Sequence, residues 1–210
     1  MDSVKEKHYW KLLSQRRFTE AVELLSGERG KALAERDFPG AAAIGVLLAS
    51  TFTAAGKDSA ALDALYAAQA DSPEDALITL RLASFLYGIA GRPEEAFQVL
   101  SPLFPTFLAR PELRHAAQGL MGAIKVSMGF ISEGHALMKA MLQGSDLERM
   151  DTAAYDFMLV NELVVSGHSD ASCQEYLERI IRQARLVHDE PIADRAARLL
   201  RTIAGKPANS

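Results

Sequence analysis

The chain carries one punctuation twice, as Gly56-Lys57-Asp58-Ser59-Ala60-Ala61 and Gly91-Arg92-Pro93-Glu94-Glu95-Ala96. In each, a glycine closes one apolar-periodic run, and an alanine five residues on sits inside the next. The two glycines are 35 residues apart. A recurrence of that length predicts stacked helix pairs, because one pair cannot bury its apolar face alone and gains a core only against a neighbour.

Aligning on the glycines extends the pattern to Gly129 and Gly167. Eight residues before each anchor stand Leu48, Ala83, Met121 and Leu159; four before stand Phe52, Tyr87, Lys125 and Leu163. Five after come Ala61, Ala96, Gly134 and Ser172, and nine after come Leu65, Leu100, Met138 and Tyr176. These offsets keep one stripe of apolar or small residues on each helix. The small residue five positions on is where two antiparallel helices are expected to cross closely, since a longer side chain would force the backbones apart. A degenerate first copy has Leu12, Ala21 and Leu25 around Arg16, without a turn glycine. From Arg16 onward the anchors are spaced 40, 35, 38 and 38 residues apart.

Local signals predict helices over roughly 3–15, 18–35, 40–55, 58–71, 74–90, 93–103, 111–128, 131–143, 151–166, 170–187 and 191–204. Ser72-Pro73-Glu74-Asp75 reads as an N-cap followed by proline at the first helical position, and Arg92-Pro93-Glu94-Glu95 starts a helix similarly. Pro39, Pro111 and Pro191 mark further starts, while Pro102 and Pro105 are expected to end or kink the helix that begins at Pro93. The final helix should turn Ile192, Ala196, Leu199, Leu200 and Ile203 inward and Arg195, Arg198 and Arg201 outward, covering the last repeat. The tail over residues 206–210 is expected to be disordered. No segment alternates convincingly enough for a strand, and sparse β-branched residues favour helix.

These residues resemble tetratricopeptide-like (TPR-like) repeats. In the stretch from about 42 to 73, Leu48, Ala49, Phe52, Gly56, Ala61, Leu65, Ala68 and Pro73 match that family's signature types. From about 77 to 108, Ala83, Tyr87, Gly91, Ala96 and Leu100 match, with Ser84 where the family has a smaller residue. Lys125 and Ser172 depart from the pattern, and the family's tryptophan is missing from every copy, Trp10 being out of register. The resemblance implies an all-α, right-handed superhelical array of antiparallel helix pairs, an α-solenoid of about five pairs plus a C-terminal capping helix. It further implies a single repeat domain over residues 1–205.

Chemistry-bearing constellations do not emerge. No two of His8, His115, His135, His168 and His188 are three or four residues apart, so a helix-borne zinc pair is not supported. Cys173 is the only cysteine, which rules out an internal disulfide framework and suits a reducing, cytoplasmic setting; it reads as a small helix residue. Phosphate-binding loops and nucleophile elbows are missing, and acidic pairs such as Glu94-Glu95 suit helix N-termini. An enzyme is therefore not expected, and neither is a cofactor. The formal net charge of −4 argues against general nucleic-acid binding. Arg179, Arg182 and Arg185, then Arg195, Arg198 and Arg201, could receive an anionic partner, but interleaved acids favour a solvated face. The uncharged run from Phe38 to Gly56 approaches a membrane-span length, yet Pro39, Gly40, Gly45, Ser50, Thr51 and Thr53 point to a repeat helix instead. The first eight residues lack the apolar core of a cleaved signal peptide.

The resemblance places a protein-binding groove on the first helix of each pair. Its offsets select Val46, Ser50 and Thr53; Ile78, Arg81, Phe85 and Ile89; Gly119, Ala123 and Val126; and Phe157, Asn161 and Val164. The set is mostly small and apolar, which suits an amphipathic helix or an apolar extended segment. Elsewhere in the family lysines and asparagines clamp acidic C-termini; here Arg81 and Asn161 are the only candidates and lie two repeats apart, which argues against such a clamp. Phe85 could equally line the groove or pack between repeats, whereas Phe157 reads rather as core. The expected role is an adaptor or chaperone holding a client segment, with a regulatory or structural subunit of a larger, secretion-related assembly as the alternative.

Overall fold

A computed structural model describes residues 3–144, 160–161, 163–165, 171–186 and 189–204. The first helices are α1 (Ser3–Ser14), α2 (Phe18–Ala34), α3 (Phe38–Ala54), α4 (Asp58–Asp71), α5 (Ala76–Gly88) and α6 (Pro93–Leu100). A 3-10 turn over Ser101–Leu103 leads to α7 (Phe104–Ala109), then α8 (Pro111–Ser127) and α9 (Ile131–Gly144). Residues 160–161 and 163–165 are helical, followed by α10 (Ala171–Leu186) and α11 (Glu190–Ala204). Among the described residues there is no strand. Gly167, Leu159, Phe157 and the 206–210 tail lie outside the described residues, as does most of the helix expected over 151–166.

The repeated turns share one chemistry. Gly56, Gly91 and Gly129 take positive φ angles of 68°, 65° and 87° between the helices of a pair. Past Gly56 and Gly129, a backbone N–H reaches back to the helix that has just ended: Lys57 to the Phe52 carbonyl at 2.8 Å and Phe130 to Lys125 at 2.9 Å. This is the closure that satisfies orphan carbonyls at a helix C-terminus. The α1–α2 turn uses it as well, with Arg16 at φ 56° and Arg17 N–H on the Leu12 carbonyl at 2.9 Å. So does the turn from α2 to α3, through Arg36 at φ 59°.

Two helix starts differ from the sequence reading. Ser72 to Asp75 form a turn in which the Asp75 N–H donates to the Ser72 carbonyl at 3.1 Å, and Pro73 occupies its favoured second position. Asp75 is the N-cap instead, its carboxylate accepting from the amides of Leu77 at 2.8 Å and Ile78 at 3.3 Å. Further on, Pro102 and Pro105 do end α6, but each then opens a new short element rather than a loop. Both prolines sit where a missing N–H costs nothing, and the fully buried Phe107 anchors α7.

The chain forms two compact units, Met1–Leu113 and Arg114–Ser210. In the first, each helix from α1 to α6 packs on the next. Tyr9, Leu12, Ala21, Leu25, Ala32, Ala41, Ile44 and Leu48 form one core cluster, and Ala42, Ala68 and Ile78 join α3 and α4 to α5. The α3–α4 crossing is close: a Cβ at Gly45 would lie 2.9 Å from that of Ala68. Polar ties reinforce the stack, with Arg29 of α2 paired to Asp71 of α4. The Tyr9 hydroxyl lies 3.1 Å from Thr51 Oγ1. Because Thr51 spends its own proton on the Leu47 carbonyl at 2.8 Å, Tyr9 is the donor.

In the second unit α8 and α9 cross at two glycines. A Cβ on Gly134 would fall 2.6 Å from both the Gly122 carbonyl oxygen and Val126 Cγ2. Helices α10 and α11 pack together, with Cys173, Leu177, Ile180, Ala193, Ala196 and Ile203 buried. Arg182, Arg185, Arg195, Arg198 and Arg201 are exposed, but Arg179 is half-buried with its guanidinium 5.4 Å from the centre of the Tyr176 ring. It is therefore a packing cation rather than part of the solvated row.

Candidate functional site

A trough of about 550 Å³ opens in the first unit, walled by α3 and α5 with Leu65 of α4 contributing to its lining. Val46, Ser50 and Thr53 come from α3, and Arg81, Phe85 and Ile89 from α5 and its C-terminal cap. The structure thus brings together the groove residues predicted for these two repeats, with one exception: Ile78 packs into the cluster with Ala42 and Ala68. Ala123 and Val126 are buried on α8, Val126 at the glycine crossing, and Asn161 is half-buried; none of the three lines this trough.

Ala49, Ala54, Ser84 and Gly88 also line it, together with Leu65. The additions on α3 and α5 were legible in principle, since they lie three or four residues from the selected positions on the same faces. Leu65 was not, because it comes from the second helix of its pair.

Wall and rim differ in character. Phe85 is 8% exposed and Leu65 4%, whereas Ile89 is 48% exposed. Ser50, Ala54, Arg81, Ser84 and Gly88 are exposed around them. The site is an open trough rather than an enclosed cavity. Its hydroxyls are largely committed, Ser50 Oγ donating to the Val46 carbonyl and Thr53 Oγ1 to the Ala49 carbonyl, both at 3.0 Å. Among the described residues the Arg81 guanidinium has no hydrogen-bond or ion-pair partner. The trough therefore offers apolar walls and one unspent positive charge.

The perturbed titratable groups lie elsewhere. Hydrogen bonds from Lys31 and then Lys5 hold the Glu28 carboxyl below its ordinary range. Burial, and then its hydrogen bond to Glu95, push the Tyr66 phenol up. The Arg17–Glu20 pair lowers Glu20 and raises Arg17. Burial of Tyr66, and ion pairs and hydrogen bonds at helix surfaces, account for these shifts without catalysis. Among the described residues no three of His, Cys, Asp and Glu are placed to hold a metal ion. Nor is any described helix long and apolar enough to cross a membrane.

No protein-family model and no curated protein matches the chain in sequence. Solved structures do match in shape. The kinesin light chain TPR-like repeats of Podosopora anserina superpose with a TM-score of 0.67 at 19% identity, over 89% of this chain and 95% of that one. The fold is TPR-like. PilW, a type IV pilus biogenesis factor, matches this TPR-like chain with a TM-score of 0.62 at 14% identity, over 98% of it and 96% of PilW. PilF of Pseudomonas aeruginosa matches with 0.59 at 18%, over 97% and 92%. Trp10, out of register with the repeat signature, is 54% exposed, and the buried aromatic of α1 is its neighbour Tyr9.

Proposed function

We propose that this TPR-like array is a non-catalytic protein-interaction module, an adaptor or chaperone that holds an apolar or amphipathic segment of a client in the α3–α5 trough. The observation that carries this reading is the trough itself: apolar walls with an exposed rim, on the first helices of two adjacent repeats. A volume of about 550 Å³ suits several side chains of a bound segment. The buried single cysteine fits a cytoplasmic, reducing setting.

The test is affinity purification with the wild-type chain and with Ile89→Asp, compared by mass spectrometry. Ile89 is exposed, so the substitution alters the trough without opening the core. A client lost in the variant, with an unchanged helical circular-dichroism signal, is the expected result; identical capture by both proteins rejects the trough.

A second reading is a regulatory or structural subunit of a larger, secretion-related assembly. It draws on the likeness to PilW and on the exposed arginines of α10 and α11. Under it, client capture would survive Ile89→Asp and be lost when Arg182, Arg185 and Arg198 are changed to Glu.

A further inference from the structure

We propose that the trough receives an amphipathic helix whose polar edge carries a carboxylate, with Arg81 as its counter-charge. This rests on the protein-binding reading above and specifies the partner.

Three observations lead there. Both long walls are α-helices, whose backbone groups are already paired within the helix, and Ser50 and Thr53 give their protons to their own backbone. An extended segment laid between them would find few protein partners for its peptide groups, whereas a helix brings its own hydrogen bonds satisfied. The apolar contacts offered by Val46, Phe85 and Ile89 suit side chains spaced at helical intervals. Finally, Arg81 lies on the exposed rim with no partner among the described residues, so a carboxylate there gains a bidentate donor without either charge being buried. The open rim disfavours a small apolar acid, which needs most of its surface enclosed.

The experiment is selection of displayed peptides of about 14 residues, near the length where isolated helices become marginal, on the wild-type protein and on Arg81→Glu. The wild type should enrich apolar residues at helical spacing with Asp or Glu at one fixed offset. Arg81→Glu should enrich Lys or Arg at that offset, and should bind the wild-type-selected peptide about two- to five-fold more weakly or worse. The same apolar spacing without charge bias on either protein overturns the counter-charge while leaving the trough as a protein site. Proline-containing extended winners overturn the helix. Winners whose binding is indifferent to Ile89→Asp place the site elsewhere and reject the functional reading itself. Dodecanoate raising the melting temperature as much as a selected peptide, with loss of that effect in Ile89→Asp, would make the ligand a lipid-like acid and overturn the proposal.

Discussion

At the residue scale the array depends on positions where the backbone leaves little choice. Gly56 sits at φ 68°, and nothing lies within 4 Å of where its Cβ would be. Gly56→Ala therefore isolates the backbone cost of a left-handed residue, and should lower stability by about 1–2 kcal/mol in urea titration. The glycines made these turns legible in the sequence. Arg16 and Arg36 adopt the same conformation with a side chain, which is why the first copy reads as degenerate although its turn closes identically. The small residue after each turn was equally legible: Ala21, Ala61 and Ala96 are all fully buried. Ala96→Leu has no space to enter and should cost about 1–3 kcal/mol through overpacking. An unchanged melting temperature would contradict the crossing.

Among the elements, α2 is built against its own propensity. Gly27 and Gly30 lie within the helix, exposed, with nothing within 4 Å of an added Cβ. Gly27→Ala and Gly30→Ala should each stabilise by about 0.5–1 kcal/mol, and a fall in melting temperature would show that another surface needs the space. Helix α1 is tied to α2 by Lys5 on Glu28 at 3.0 Å. Because Glu28 is held below its ordinary value of 4.5, its contribution is complete above that pH and is lost as pH falls through the lower folded value. Glu28→Gln should thus separate from wild type in urea midpoint near neutrality and converge with it in acid. Element boundaries were legible wherever one side chain dominates the cap. They were misread at Ser72 to Asp75, where two capping residues compete, and read correctly but incompletely at Pro102 and Pro105. There the sequence shows that a helix must stop but not that Phe107 will be buried and start another.

For the whole molecule, the scaffold was far more legible than its use. Helix-holding positions must be small or apolar at fixed offsets, so they leave a periodic trace. A binding surface has no such obligation; it is recognisable only once the scaffold has been laid down and its first-helix faces compared. That is how Val46, Ser50, Thr53, Arg81, Phe85 and Ile89 could be named together while Leu65 could not. It is also why Ile78, on the same helix as Arg81, proves to be core. The trough lies wholly within the first compact unit, and the exposed arginine rows wholly within the second. Hydrogen–deuterium exchange can therefore decide between them. A client segment at about one hundred times its Kd should stabilise the native state by about 2.7 kcal/mol. The accompanying slowing of exchange should appear in α3 and α5, with α10 and α11 unchanged. Protection centred on α10 and α11 would move recognition to the arginines, and with it the function from holding an apolar segment to docking on an acidic surface.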